Sequence, residues 1–273
     1  MATVFVTGSF DDLRSGQIRF LEEASKLGAV HVWLWSDEQV QFATGRAPKL
    51  PTNERHYLLA SLRYVARVNL VSGQLAAGAL PDTGGRRPDV WVADEVGASH
   101  GQQAQCAALG VAYRVFGASD LAGFPAETRR AEPHPAGRKK VIVTGCFDWF
   151  HSGHVRFFEE VSELGDLYVV VGSDENVALL KGAGHPMFPQ AERRYVVGSV
   201  RFVTQALVSS GTGWMDAEPE IARVKPDIYA VNEDGDKPEK RAFCEEHGLE
   251  YVVLKRIPKP GLPRRQSTDL RGF

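Results

Sequence analysis

VTGCFDWFHSGHVRFFEE, residues 143–160, decides how this chain folds. It opens as a short apolar run that stops at Gly145. It then passes into a helical pattern in which Val155, Phe158 and Val161 recur at helical spacing. Residues 6–23, VTGSFDDLRSGQIRFLEE, repeat the stretch, with Arg14 and Gln17 where the later copy has His151 and His154. The correspondence continues. SKLGAVHVWLWSDEQV (25–40) matches SELGDLYVVVGSDENV (162–177), ERHYLLASLRYV (54–65) matches ERRYVVGSVRFV (192–203), and RPDVWVADEVG (87–97) matches KPDIYAVNEDG (225–235). CAALGVAYRVF (106–116) matches CEEHGLEYVVL (244–254). A duplicated unit of about 115 residues is of ordinary domain size. The organisation expected is a first unit over 1–116, a linker over 117–139 rich in Pro, Gly, Ala and charge, and a second unit over 140–273.

Within the second unit, VIVTG, LYVVVGSD, DIYAVNED and YVVLKR read as strands. GHVRFFEEVSEL, ERRYVVGSVRFV and PEKRAFCEEHG read as helices. Apolar strands alternating with helices give an α/β fold, a doubly wound parallel sheet covered on both faces, here twice in tandem and Rossmann-like. Ligands in such folds sit beyond the carboxyl ends of the strands, near the point where strand order reverses. The turn TGCFDWFHSGH lies there.

Composition narrows the function. The chain has 273 residues, 43% of them apolar, and a net charge of −2 with its basic residues scattered. This gives no basic stripe with interleaved aromatics for nucleic acid. No run of about 18 apolar residues offers a membrane span. The start, MATVFVTGSF, lacks the pattern of a secretory signal, and three cysteines without CxxC spacing suggest neither a disulfide frame nor a zinc site. A cytoplasmic location is expected.

The turn itself suits an anion. Gly145 lets the chain turn sharply or a ligand approach the backbone. His151 and His154, three apart at a helix start, can face one side, and Gly153 between them has no side chain to block a phosphate. Free N–H groups and the helix dipole favour negative charge there.

GCFDWFHSGH resembles the HxGH signature of the nucleotidyltransferase superfamily that includes the cytidylyltransferases acting on glycerol 3-phosphate and phosphoethanolamine. RRYVVGSVRFV resembles that family's RYVDEV segment, and RRQSTDL (264–270) resembles its late ISTT segment. The resemblance spans the second unit. It implies transfer of CMP from CTP to a phosphorylated or phosphonate small molecule, with release of pyrophosphate and with Mg²⁺ carried by the nucleotide rather than by a protein ligand set. It implies that His151 and His154 contact the triphosphate, that Lys181 neutralises phosphate charge, and that Arg201 binds the outer phosphates. Gly145, Cys146, Phe147, Asp148 and Gly153 would frame the nucleotide, and Ser267 and Thr268 would cap its phosphates. Asp174 and His185 are candidates for the acceptor.

Departures leave the base and the acceptor open. Thr204 and Gln205 stand where RYVDEV is acidic, and KGxxxP at 181–186 is also similar to sugar-phosphate adenylyltransferases, so ATP is an alternative donor. Recurrence weakens some assignments: Arg201 has a counterpart in Arg63, Asp148 in Asp11 and Asp174 in Asp37, as structural residues would. The first unit, with Arg14 and Gln17 and no lysine matching Lys181, is expected to be catalytically silent. Relatives with a single unit pair as homodimers, so the resemblance also implies an intramolecular pseudo-dimer. A nucleotide-sensing pseudoenzyme is the reading from another class.

Overall fold

The structure, a computed structural model, describes residues 2–125 and 137–267. The chain divides into two compact units, Met1–Gly123 and Phe124–Phe273. The division falls inside the stretch read as linker. Phe124 packs on Tyr195, with ring centroids 5.8 Å apart, and the Pro125 carbonyl accepts from Arg194, so the end of that stretch belongs to the second unit.

The first unit runs β1 (Thr3–Gly8), α1 (Ser15–Ser25), β2 (Ala29–Leu34), α2 (Asp37–Thr44), α3 (Thr52–Ala60), β3 (Val65–Leu70), β4 (Val90–Asp94), α4 (His100–Leu109) and β5 (Ala112–Phe116). The second runs β6 (Lys140–Gly145), α5 (Ser152–Leu164), β7 (Asp166–Val171), α6 (Asp174–Lys181), α7 (Gln190–Gly198), β8 (Val203–Val208), α8 (Glu218–Val224), β9 (Ile228–Asn232), α9 (Pro238–Glu246) and β10 (Glu250–Leu254). Each unit forms one parallel five-stranded sheet, in the orders β3-β2-β1-β4-β5 and β10-β9-β6-β7-β8. The two orders are equivalent, and strand order reverses beside β1 in one and β6 in the other. This is the tandem doubly wound α/β architecture that the alternation of strands and helices implies.

The central strand explains the pattern. Val141, Ile142 and Val143 are all buried: Val141 and Val143 pack with Phe157, Phe158 and Val161 of α5, while Ile142 packs on the other face with Ile221, Val224 and Phe243. A strand covered on both sides must be apolar throughout, so β6 reads as a run rather than an alternation. Cys244 and Cys106 lie buried at equivalent places in these cores. One element departs from the sequence reading. ERRYVVGSVRFV is not one helix: α7 ends at Gly198, and Val203 begins β8, which pairs with β7 at the edge of the sheet. Its six residues, VTQALV, show no strict alternation and are too few to announce a strand beside a strong helical signal. No described helix is long and apolar enough to cross a membrane.

Candidate active site

Between β6 and α5 the chain turns at Phe147, whose φ of 53° lies in the left-handed region; its counterpart Phe10 has φ 46°. A bulky residue held there costs about 1–3 kcal/mol. Packing holds it: the ring is 7% exposed, sits over Gly145, and meets Phe158 and the His154 ring, each at 5.3 Å between centroids. A Cβ on Gly145 would stand 2.8 Å from Phe147 Cζ, so glycine is required for the aromatic ring rather than for the turn.

His151 occupies the N-cap of α5, and its Nδ1 accepts from the Gly153 N–H at 3.1 Å. That bond keeps Nδ1 unprotonated, leaving the proton of the neutral ring on Nε2. The ring folds over Gly153, where a Cβ would lie 2.9 Å from Cε1. The space above this glycine therefore belongs to His151. His154 stacks on His151 at 3.9 Å between centroids and on Phe150 at 5.6 Å. Burial above all, then His151, Arg256 and Lys181, holds its pKa well below the ordinary 6.5. At neutral pH His154 is therefore an uncharged donor, and its buried Nδ1 has no hydrogen-bond partner among the described residues.

A cavity of about 200 Å³ opens at the carboxyl ends of β6 and β9, the two strands beside which the order reverses. Gly145, Cys146, Phe147, Gly153 and His154 contribute to its wall. Lys181 reaches it from the last turn of α6, Lys240 from α9 and Arg256 from beyond β10. Against these three cations stands, among the described lining residues, one carboxylate, Asp234, which Arg256 holds at 2.6 Å. Arg256 also donates to the Arg265 carbonyl at 2.9 Å. Lys240 donates to the Gly235 carbonyl at 3.1 Å, and burial lowers its pKa. Burial raises the Cys146 thiol, and Lys181 and Arg193 oppose that rise. The lining thus joins excess positive charge to one uncharged imidazole donor, His154, a chemistry suited to a polyphosphate.

The sequence motifs lead to His154, Lys181 and the turn residues but miss Lys240 and Arg256. These two stand outside any motif, and only the return of β9 and β10 to the switch point brings them in. His151 lies behind His154 rather than on the wall.

Asp148 is 8% exposed, and its carboxylate accepts from the Met187 and Phe188 N–H groups at 2.8 and 3.0 Å, with His185 Nδ1 at 3.5 Å. It pins the loop after α6. Asp11 does the same to Lys49 and Leu50 in the first unit. Asp174 pairs with Arg193 at 2.7 Å, away from the cavity wall.

Arg201 stands apart from these residues. It precedes β8 at the amino end of the sheet, where Val203 pairs with Leu167, while the cavity stands at the carboxyl end; the structure does not bring it to the site. Ser267 donates to the Trp149 carbonyl at 3.4 Å. Thr268 lies outside the described residues.

The sequence pattern also passes over Arg193. Its buried guanidinium donates to the Phe188 and Cys146 carbonyls and to Asp174, tying the turn to the loop after α6. Arg55 makes the same bonds to Leu50, Ser9 and Asp37.

Residues 142–262 match the model of a family described as cytidylyltransferase-like. An FAD synthase from Ferroglobus placidus is 40% identical over 120 residues, which cover 43% of this chain and 75% of that one. A bifunctional protein HldE from Nitratiruptor sp. is 37% identical over 103 residues, 37% of this chain and 21% of the relative. Among solved structures, a lipopolysaccharide core biosynthesis protein from Thermoplasma volcanium is 25% identical with a TM-score of 0.38, covering 48% of this chain and 100% of that one. The matched segment contains the imidazole pair and every cation of the cavity. Through its second unit, this chain belongs to the cytidylyltransferase-like nucleotidyltransferases, enzymes of the transferase class.

Proposed function

We propose that the second unit moves a nucleotidyl group from a nucleoside triphosphate to the phosphate or phosphonate of a small acceptor. An acceptor oxygen attacks the α-phosphorus in line, the bond from that phosphorus to the bridging oxygen breaks, and pyrophosphate leaves. No covalent enzyme intermediate is needed. The observation that carries the reading is the convergence of neutral His154 with Lys181, Lys240 and Arg256 on one cavity. In this reading His154 donates to charge developing on the departing oxygens. His151 fixes the His154 ring from behind, and the three cations hold the phosphates. Gly145, Cys146, Phe147 and Gly153 frame the nucleotide, and Ser267 with Thr268 closes over it.

The donor is CTP in the reading that the family resemblance favours. A second reading, ATP, is favoured by the FAD synthase relative, whose named product contains an adenylyl group. Among the described residues no group of three or more His, Cys, Asp or Glu could hold a metal ion, and Asp234 is engaged by Arg256. The donor set does not suit a protein-held Mg²⁺, so the ion is proposed to travel on the nucleotide. The first unit is proposed to be catalytically silent and to stand in for the second subunit of single-unit relatives. A reaction fed by free nucleoside triphosphate fits the cytoplasm.

Pyrophosphate release, measured with CTP and with ATP against phosphate- and phosphonate-bearing alcohols and amines, tests the proposal. Turnover with one nucleotide, lost in His154→Ala, is expected. Equal turnover in the variant, or none with any pair, counts against it.

A further inference from the structure

The first unit holds a larger cavity, about 720 Å³, at the matching place, the carboxyl ends of β1 and β4. That volume lies in the range of small-molecule sites, about 300–1,000 Å³. Its chemistry is the reverse of the second cavity's. Among the described residues the lining has one carboxylate, Asp94, and no lysine, arginine or histidine. Asp94 caps its own turn by accepting from the Gly97 N–H at 2.7 Å. The walls are aromatic: Phe10, Phe20, Trp35, Phe42 and Trp91.

The segment Leu75–Ala79 forms another wall, in the connection where the second unit has α8, and Gln39 anchors it by bonding both the Leu75 N–H and carbonyl. Two polar atoms on lining residues, Gln17 Oε1 and Trp91 Nε1, are buried without a hydrogen-bond partner among the described residues. Trp91 is 2% exposed. Both atoms are closed off from the open cavity, so a molecule lodged there meets the aromatic faces instead.

We propose that this cavity binds an uncharged, planar aromatic molecule and excludes phosphorylated ones. Aromatic faces stack on a flat ring, while a phosphate would be buried with no cation to pair it and near a carboxylate. The site is separate from the transfer reaction and does not depend on it.

The test uses the full chain with the second cavity saturated by CTP or ATP. Adenosine, cytidine and riboflavin are titrated by calorimetry, each beside its monophosphate. At least one uncharged probe is expected to bind, with its phosphate at least tenfold weaker. Trp35→Ala, which removes one stacking face, should weaken that binding at least fivefold and leave pyrophosphate release unchanged. Because Phe42 is 55% exposed, Phe42→Arg should leave folding intact and narrow the preference for the uncharged probe. The proposal is overturned if no probe binds, if phosphates bind as well as their nucleosides, or if neither variant changes binding.

Discussion

Two cavities stand at one place on two equivalent sheets, and the side chains that separate them are few. Where the second unit has His154, Lys181, Lys240 and Arg256, the first has Gln17, Thr44, Gln102 and Ala118. What the units share is of another kind: the left-handed Phe10 and Phe147, the loop-pinning Asp11 and Asp148, the buried Arg55 and Arg193, and the serine caps Ser36 and Ser173. The turn is thus built by one set of residues and charged by another. A copy can lose the second set and keep its fold, since Phe10 holds its left-handed turn without an imidazole at the next helix start.

The largest effect should fall on chemistry in one unit alone. His154→Ala is expected to lower pyrophosphate release on the order of a hundred- to a thousandfold, as removal of a transition-state donor does. Gln17→Ala, its mirror, should leave turnover within twofold; a comparable loss there would erase the distinction between the units.

Stability should instead respond in both. Arg55→Ala and Arg193→Ala each strip two or more part-buried carbonyls and a half-exposed carboxylate of their partner, at a cost of about 1–3 kcal/mol, read by urea unfolding of the full chain. An effect in only one unit would mean that the shared frame is not shared energetically. Lys240→Met and Lys181→Met should each raise the KM for nucleotide about tenfold, the equivalent of about 1.4 kcal/mol, whereas Thr44→Lys should not create turnover. Measured KM values unchanged in both lysine variants would remove the cations from the account.

The smallest effect is acid sensitivity. Unfolded, His154 takes a proton near the ordinary 6.5; folded, burial and its cationic neighbours delay that to lower pH. Between those points the unfolded state binds more protons, so stability falls as pH drops below 6.5 and is regained above it. His154→Gln should flatten that part of the profile, while Gln17→His should steepen it if the first turn is as buried as the second. A thermal-melt series from pH 7.5 to 5.5 reads both.

Much of this is legible in the amino-acid sequence alone. Duplication, strand–helix alternation and the glycine turn point to the fold, because strands buried on both faces have no alternative to continuous apolar runs. The imidazole pair is legible because its spacing ties it to a helix start. Lys240 and Arg256 are not, since neither adjoins a motif and their approach depends on where β9 and β10 return in the sheet. Arg201 is the converse case: it adjoins a recognisable segment, and that segment leads into the amino end of β8, away from the cavity lining. The size of the first cavity is hidden in residues 72–89, a loop whose composition resembles any connection and whose wall-forming part is fixed by Gln39 across the fold.

A crystal structure of the full chain soaked with the α,β-methylene analogues of CTP and ATP tests the account most directly. The polyphosphate of one analogue should lie in the second cavity, within hydrogen-bond reach of His154 and beside Lys181 and Arg256, with no triphosphate in the first. A tail lodged in the first unit, or bound in the second without contact to His154, would contradict it.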